Sequence, residues 1–319
     1  MFRLVEQRDK KGKELRKVVV DTLQDMMKED ENILALETDL GGASGFTDIQ
    51  KTYPKQFIQC GIAEANMTGV AAGLSLMGYK PYLHSFGPFA TRRMYDQIFL
   101  SGAYAGNTLT IFGSDPGFCA GPNGGTHTTW EDVALMRMIP NSIICDPVDE
   151  VQLEWVLREF SNHKGIHYVR ANRKNVRPVY EVGSTFALGK GNVLKEGKDI
   201  LVISAGQLVS DALDCAQDLK EEGIDVEVID MFCIKPLDVS LILEEVKGKK
   251  AVVTFENHSI YGGLGSSVAE VLSEHGIPIK CIRHGVKERF GQVGTPEFLQ
   301  KEFHLCKEDL YETIKNIYK

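Results

Sequence analysis

The 319-residue sequence predicts an α/β protein with two doubly wound domains. Short apolar strands alternate with helical stretches along the chain, which is typical of mostly parallel sheets covered by helices on both faces. A basic segment at residues 170–178 separates two such series, and each series is long enough to bury its own core. We therefore expect one domain over residues 1–180 and a second over residues 181–319.

Composition excludes several classes of protein. Hydrophobic residues make up 43% and charged residues 25%, which is ordinary for a globular protein, and no apolar run reaches the length of a membrane span. The net charge of −8 argues against nucleic-acid binding. Seven scattered cysteines without a CxxC pair indicate neither disulfides nor a metal site. Because the charged N-terminus lacks the apolar core of a secretory signal, we expect a cytoplasmic protein.

The first series begins with an amphipathic helix over Lys13–Lys28. The strands predicted after it are short and apolar: Ile33–Leu36, Tyr79–Leu83, Leu109–Phe112, Ser142–Cys145 and His167–Val169. Helices are predicted over Arg92–Ala105 and Asp149–Phe160.

The second series repeats this construction. Its predicted strands are Ile200–Ser204, Val226–Asp230, Ala251–Phe255 and Ile279–Ile282, and its predicted helices are Leu208–Glu222, Ser240–Val246 and Ser266–His275. A GGxGSS run beginning at Gly262 resembles a phosphate cradle, but such a match is weak evidence and we interpret the run as structural.

Polar residues of the first series follow the predicted strands. They include Asp39, Glu64, the segment His84–Phe89 and a loop over residues 113–129 that carries five glycines and two prolines. Ligands of open parallel sheets bind at the carboxyl ends of the strands, and a long irregular loop in a compact domain is usually functional. We therefore predict the functional site at this edge.

Glu64 is the most informative of these residues. It stands between an apolar stretch and a helix so rich in Ala, Gly and Leu that we expect it to be buried (FIQCGIAEANMTGVAAGLSL, residues 57–76). Burial disfavours a charged carboxylate, so Glu64 should be paired with a cation, bonded to a ligand or protonated. A glutamate satisfied by the free N–H groups of a helix start is the ordinary alternative.

Five motifs in order resemble the C-terminal half of transketolase, as found in split two-subunit transketolases. They are ETDL at residues 37–40, CGIAEANM at 60–67, SFGPFATRRMYDQI at 85–98, GPNGGTHTTWEDVALMR at 121–137 and FENHSIYGGLGSSVAE at 255–270. The resemblance implies a thiamine-pyrimidine-binding domain followed by a transketolase C-terminal domain. It also implies thiamine diphosphate and Mg2+ as cofactors.

The resemblance assigns cofactor contacts to four residues. Glu64 matches the glutamate that hydrogen-bonds the aminopyrimidine ring and favours its catalytic tautomer. Phe86 and Phe89 match aromatic residues that stack on and flank this ring, although such a pair elsewhere usually packs in a core. Asp39 matches an aspartate near the cofactor and the subunit contact. Without the resemblance, Asp39 would be interpreted as a residue whose side chain caps a loop.

The resemblance also implies substrate contacts. His127 matches a histidine that hydrogen-bonds the donor ketose, and the glycines before it allow close approach of backbone and substrate. Arg16 and Arg170 match arginines that grip the acceptor's terminal phosphate, a task suited to guanidinium geometry. Arg92 and Arg93 are further candidates for that end of the pocket.

Two positions depart from the sugar-phosphate enzymes. Asp115 stands where those enzymes have a phosphate-binding histidine, and Asn123 where they have an aspartate that contacts a substrate hydroxyl. The serine of the phosphate site falls at Ala43 or Ser44. An aspartate repels phosphate unless it is protonated or paired, so the sequence favours a substrate other than the usual phosphorylated pentose.

The sequence contains no GDG…N element of the kind that holds magnesium and diphosphate in thiamine enzymes. We therefore expect an N-terminal transketolase subunit as partner, homodimerisation through this chain, and an α2β2 assembly. Alternatives are a β subunit of a 2-oxo acid or acetoin dehydrogenase, and an enzyme like 1-deoxyxylulose-phosphate synthase. A regulatory subunit that keeps the fold without catalysis is the alternative outside enzymes.

Overall fold

The structure, a computed structural model, describes residues 1–318. In the first half the strands are β1 (Ile33–Glu37), β2 (Phe57–Gln59), β3 (Lys80–Phe86), β4 (Leu109–Ser114), β5 (Ile143–Cys145) and β6 (Ile166–Ala171). The helices are α1 (Leu15–Glu29), α2 (Gly41–Ser44), α3 (Phe46–Thr52), α4 (Glu64–Leu76), α5 (Gly87–Thr91), α6 (Tyr95–Gln97), α7 (Asp132–Arg137) and α8 (Glu150–Phe160). A π-helical stretch (Ile98–Tyr104) follows α6, and a 3-10 stretch (Gly117–Asn123) lies in the glycine-rich loop.

In the second half the strands are β7 (Asn192–Lys195), β8 (Ile200–Ser204), β9 (Val226–Asp230), β10 (Cys233–Lys235), β11 (Ala251–Ser259) and β12 (Lys280–Val286). The helices are α9 (Leu208–Glu221), α10 (Val239–Glu245), α11 (Leu264–Glu274), α12 (Pro296–Glu302) and α13 (Lys307–Tyr318). None of the helices within residues 1–318 is long and apolar enough to cross a membrane.

Two mostly parallel sheets form, as the sequence predicts. The first has the order β10-β5-β6-β4-β3-β1-β2 and the second has the order β12-β11-β8-β9-β7. Among the strands that residues 1–318 form, only β10 in the first sheet and β7 in the second run antiparallel to their neighbours. Apolar clusters cover both faces of each sheet, so the predicted α/β class with two doubly wound domains is confirmed.

The first sheet takes its outermost strand from the second half of the chain. In β10, Cys233 pairs with Cys145 of β5, so a strand from the second half of the chain completes a sheet that residues 1–180 begin. The sequence does not predict β10, because three residues carry no strand pattern of their own. Its place in the sheet ties the two halves together through backbone hydrogen bonds.

The predicted helix over Arg92–Ala105 is only partly correct. The chain forms α5, then α6, and continues in the π-helical stretch. Gly102 lies within this stretch, where an added Cβ would come within 2.9 Å of Ile166. The widened turn therefore brings the backbone close to β6, which a regular helix pattern does not predict.

Candidate active site

Glu64 is the first residue of α4, and only 5% of it is exposed. Its Oε1 accepts a hydrogen bond of 2.7 Å from Nη1 of Arg93. The Arg93 side chain is 48% exposed, so this ion pair lies at the edge of the protein and faces water on one side. Glu64 was expected to be paired with a cation, bonded to a ligand or protonated. In the structure it is paired with a cation, the Arg93 guanidinium.

Three aromatic rings lie beside this pair. Phe86 ends β3 and Phe89 lies in α5, and their ring centroids are 6.1 Å apart in an edge-on arrangement. The His127 ring lies 5.5 Å from Phe86 and 5.0 Å from Phe89. The Arg93 guanidinium lies over the Phe89 ring, 3.6 Å from its centroid. The structure thus brings Glu64 and all three predicted ring-bearing residues into one cluster.

The charge state of His127 follows from its surroundings. Partial burial lowers its pKa below the ordinary value of 6.5, and the nearby guanidinium groups of Arg93 and Arg173 lower this pKa further. Its Nδ1 lies 2.9 Å from Oγ1 of Thr126. His127 is therefore a neutral imidazole near pH 7, able to donate one hydrogen bond and accept another.

The loop that carries His127 is held by the second half of the chain. Gly125 packs so closely against the carbonyl of Gly291 that an added Cβ would lie 2.3 Å from the oxygen. Gly124 has a φ of +75° and faces Val293. Glycine is required at both places, because a side chain would separate the two segments.

Asp115 and Arg173 form an ion pair that is not among the sequence predictions. Asp115 follows β4, has a φ of +55° and is 2% exposed. Its carboxylate accepts hydrogen bonds from the backbone N–H of Arg173, at 2.9 Å, and from Nε of the same residue, at 2.5 Å. Burial raises the pKa of Asp115, and Arg173 opposes this shift. The Arg173 guanidinium lies over Phe86, 4.7 Å from the ring centroid.

A signal for this pair was present in the sequence. Asp115 follows one predicted strand, and Arg173 follows another. Because β4 and β6 are parallel neighbours, the residues after their carboxyl ends meet at one edge. The family resemblance assigned the binding role to Arg170, which lies three residues before Arg173.

Arg16 lies next to Arg173, near the first turn of α1. Its backbone N–H donates to the Arg173 carbonyl at 3.1 Å. Its Nε donates to Glu14 at 3.0 Å, and its Nη1 reaches the carbonyl of Ala43 at 3.4 Å. The predicted binding residue Arg16 therefore borders the same region, with a carboxylate already bound to it.

Arg170 does not lie at the site, and its predicted role in gripping a phosphate is wrong for this structure. Only 1% of the residue is exposed. Its Nε and Nη2 donate to Asp132 at 2.7 and 3.2 Å, its Nη1 donates to Asp146 at 2.8 Å, and its Nη2 also donates to the carbonyl of Asn257 at 3.0 Å. The guanidinium is therefore buried between the two halves of the chain, and its hydrogen bonds go to protein groups rather than to a ligand.

The other predicted positions fall around the cluster. Asp39 has a φ of +62° at the end of β1 and is exposed, as is Asn123 on the glycine-rich loop. Ser44 is fully buried and donates to Glu37 at 2.6 Å, so its hydroxyl is unavailable to a ligand. Arg92 pairs with Glu131 at 3.1 Å rather than joining Arg93.

The predicted structural role of the GGxG run agrees with its contacts. The Glu256 carboxylate accepts hydrogen bonds from the N–H groups of Leu264 (2.7 Å) and Gly265 (2.9 Å) at the start of α11. A side chain of the protein therefore occupies the place an anion would take. Within residues 1–318, no group of three or more His, Cys, Asp or Glu residues could hold a metal ion.

Helix α4 is buried on one side only, contrary to the expectation that it is buried throughout. Beside the active-site cluster, α4 and the π-helical stretch expose large apolar side chains. We call this surface the α4 face; it consists of Ile62, Leu76 and Met77, each 75% exposed, with Leu100 at 51% and Tyr104 at 86%. Apolar patches of this kind usually mark contacts with another chain.

The family model described as transketolase, pyrimidine binding domain, matches residues 11–179. The chain belongs to the transketolase family. A second model, transketolase, C-terminal domain, matches residues 189–310. The family resemblance inferred from the five motifs is thereby confirmed.

Similar proteins include subunits of split transketolases. The 6-deoxy-6-sulfo-D-fructose transketolase subunit SqwH of Clostridium sp. strain MSTE9 is 41% identical, over 95% of this chain and 94% of that one. A subunit of the apulose-4-phosphate transketolase of Phocaeicola vulgatus is 34% identical, over 93% and 95%. A solved chain described as a split gene transketolase, inactive beta4 tetramer, is 36% identical with a TM-score of 0.89, over 96% and 99%.

These likenesses confirm that this transketolase chain is one subunit of a two-subunit transferase. Each of the three relatives is matched over nearly its full length. The transketolase family implies dependence on thiamine diphosphate. The residues that would bind the cofactor and the sugar remain predictions.

Proposed function

We propose that this chain is the pyrimidine-binding half of a transketolase that moves a two-carbon ketol unit from a ketose with an anionic far end to an aldose. Thiamine diphosphate and Mg2+ would be held jointly with an N-terminal subunit. The observation that carries the proposal is the cluster formed by Glu64, Phe86, Phe89 and His127 at the carboxyl edge of the first sheet.

The cluster suits the pyrimidine end of the cofactor. Glu64 offers a buried carboxylate that can hydrogen-bond a ring nitrogen, and its only polar partner in the described residues, Arg93, is half exposed and able to move aside. Phe86 and Phe89 offer ring edges and faces for stacking. Asp39 would lie near the cofactor at the subunit contact. When bound, thiamine diphosphate supplies the carbon nucleophile that takes up the ketol unit.

His127 suits the ketol end of the donor. As a neutral imidazole it can donate a hydrogen bond to the carbonyl oxygen or accept one from the first hydroxyl. Asn123, on the same loop, would hydrogen-bond a further substrate hydroxyl. The protein's own residues thus orient the donor and hold a proton at the oxygen where charge develops.

A partner subunit is supported by the open cluster and by the α4 face beside it. The similar solved chain, described as inactive when it forms a beta4 tetramer, supports the same requirement. We propose an α2β2 assembly in which the α4 face contacts another chain and the partner supplies the diphosphate and Mg2+ ligands. The proposed location is the cytoplasm, where the seven cysteines, all free within the described structure, would stay reduced.

The proposed substrate carries an anionic group other than the usual pentose phosphate. Two relatives are named for a sulfonated hexulose and for apulose 4-phosphate. Asp115 in place of a phosphate-binding histidine supports a changed far end, and the sulfonated ketose is the favoured candidate. A ketose phosphate is the second candidate.

The test is to mix the purified chain with an N-terminal transketolase subunit, thiamine diphosphate and Mg2+. Ketol transfer would be followed with 6-deoxy-6-sulfo-D-fructose, apulose 4-phosphate and D-xylulose 5-phosphate as donors. We expect transfer from the mixture, none from either subunit alone, and none with Glu64→Ala. Activity of this chain alone would refute the split enzyme.

The same assay separates the alternatives. A lipoyl-dependent oxidation of a 2-oxo acid would indicate a dehydrogenase β subunit, and decarboxylation of pyruvate with an aldose phosphate would indicate a synthase of 1-deoxyxylulose phosphate. Undiminished activity of a partner without this chain would indicate a regulatory subunit.

A further inference from the structure

We infer that Glu37 and His84 are positioning residues, which hold the strand ends beneath the candidate active site and thereby set its affinity for thiamine diphosphate. The inference rests on the proposed function. Both side chains are buried below the site, so they act on the cofactor through Phe86 and Asp39 rather than by contact with it.

Glu37 and His84 belong to a continuous set of hydrogen-bonded side chains. We call this set the buried polar network; it consists of Ser44, Glu37, His84 and Ser114, each fully buried. The Ser44 hydroxyl donates to the Glu37 carboxylate at 2.6 Å, and Nδ1 of His84 lies 3.2 Å from the same carboxylate. On the other side of the ring, Nε2 of His84 lies 3.0 Å from Oγ of Ser114. The network therefore runs from α2 through β1 and β3 to β4.

The buried polar network lies directly beneath Phe86. Side chains two residues apart on a strand point to the same face, so His84 lies below Phe86 on β3, about 7 Å along the strand. In the parallel register Glu37 stands beside His84, and Ser114 stands beside Phe86. The network thus forms the layer under the ring that is proposed to stack on the pyrimidine.

The network also fixes the ends of three neighbouring strands. His84 lies on β3, between β1 and β4, and it links Glu37 at the end of β1 to Ser114 at the end of β4. The residues that follow these ends, Asp39 and Asp115, have φ values of +62° and +55°. Residues other than glycine keep this strained conformation only where the surrounding contacts hold it. His84 joins the two segments that carry these residues.

The Glu37–His84 pair is costly to bury, which favours a role other than stability. Burial opposes the charged form of Glu37, yet the charge of His84 and the hydrogen bonds to the carboxylate bring the pKa of Glu37 below its ordinary value of 4.5. Phe46 and Phe112 flank the His84 ring, with centroids 5.4 and 5.2 Å away, so apolar side chains would suit this place. Apolar residues of similar volume often stabilise a protein as well as a buried ion pair does. The role of the pair is therefore to select one arrangement of the strand ends.

The experiment uses the assembled two-subunit enzyme and measures the Kd for thiamine diphosphate, with Mg2+ present, by isothermal titration calorimetry. Glu37→Met together with His84→Phe replaces the pair by apolar side chains of similar volume. This double variant should unfold in urea at a midpoint equal to or above that of the wild-type chain. Its Kd should nevertheless rise by roughly 10- to 100-fold, the range that loss of an outer-shell partner causes at metal sites.

Two single substitutions separate charge from position. His84→Phe alone leaves the Glu37 carboxylate buried without its ring partner, and it should lower the urea midpoint by about 1 to 1.7 M. Glu37→Gln keeps the shape of the side chain and an oxygen that accepts from His84. It should recover most of the cofactor affinity that the double variant loses.

His167→Phe is the matched control. His167 is also a fully buried histidine of the first sheet, and its ring stacks on Phe160 with 4.9 Å between centroids. It lies near the amino end of β6, and its Nδ1 lies 3.2 Å from the hydroxyl of Thr110 rather than from a carboxylate. Its substitution should leave the Kd for thiamine diphosphate unchanged.

Three results would overturn the inference. A wild-type Kd in the double variant would show that the pair does not position the site. A double variant that loses stability together with affinity would show a purely structural role. An equal rise in Kd for His167→Phe would show a general effect of replacing a histidine in this sheet. If the wild-type assembly binds no thiamine diphosphate, the proposed function itself fails, and this outcome is distinct from the other three.

Discussion

Replacing Arg170 by methionine tests whether this residue holds the two halves of the chain together rather than binding substrate. The substitution removes four hydrogen bonds and leaves Asp132 and Asp146 buried beside an apolar side chain. Breaking a buried ion pair by deleting one partner typically costs about 3–5 kcal/mol. That is a large share of the roughly 5–15 kcal/mol that stabilises a folded protein.

Urea unfolding, followed by circular dichroism at fixed protein concentration, measures this loss. With an m value of about 3 kcal/mol per M, the midpoint should fall by about 1 to 1.7 M. The loss should be smaller at pH 5 than at pH 8, because protonation of the orphaned Asp146 relieves its unpaired charge. Burial already raises the pKa of Asp146 to about 6, against the opposing pull of Arg170.

Arg177→Met is the control, since Arg177 also pairs with two carboxylates, those of Asp211 and Asp214, but is 29% exposed. Pairs with this much solvent contact contribute about 0–1 kcal/mol. Equal midpoints for the Arg170 and Arg177 variants would refute the reasoning. So would an Arg170→Met enzyme of normal stability with a raised KM for the sugar acceptor.

Four further predictions concern three single residues. Glu64→Gln should reduce ketol transfer by roughly 10²- to 10⁴-fold with an unchanged unfolding midpoint; a variant with wild-type rates would remove Glu64 from the mechanism. His127→Gln should lower kcat/KM for the ketose by roughly 10- to 100-fold. Because the pKa of His127 is lowered below 6.5, any loss of wild-type kcat/KM from its protonation should have its midpoint below pH 6.5, and a midpoint above pH 6.5 would contradict the lowered pKa. Burial raises the pKa of Asp230 to about 7, so the folded state keeps a proton that the unfolded state has lost, and stability from this group falls as pH rises from about 4 to 7. Asp230→Asn should therefore gain stability relative to wild type as pH increases from 5 to 7.5, and a constant difference across that range would contradict the shift.

The fold could be predicted because apolar strands and helices alternate with little ambiguity. Every strand expected from this pattern is present, and the boundaries differ by a few residues. Glu64, Phe86 and His127 could also be placed, since each belongs to a local motif beside the carboxyl end of a strand. These features depend on short stretches of sequence, which sequence reasoning handles well.

The remaining features depend on contacts between distant residues. The acidic partners of Arg170, Asp132 and Asp146, lie 38 and 24 positions away, so nothing local distinguishes this buried arginine from a ligand-binding one. Arg173 also pairs with a distant residue, since Asp115 lies 58 positions away. No local pattern therefore indicates that Arg173, and not Arg170, lies at the site. A family motif predicts which residue stands at a position. It does not predict the rotamer of that side chain or the counterion that it binds.

The strand β10 has a consequence for how the chain folds during synthesis. Residues 1–180 leave the ribosome with the edge of β5 unpaired, and the pairing strand ends only at Lys235. At a synthesis rate of about 5–20 residues per second, the first sheet waits roughly 3–11 s for its last strand. During that interval an exposed edge can pair with a neighbouring nascent chain. A gene fragment that ends at residue 180 would make this exposure permanent, so the first domain should aggregate when it is expressed alone.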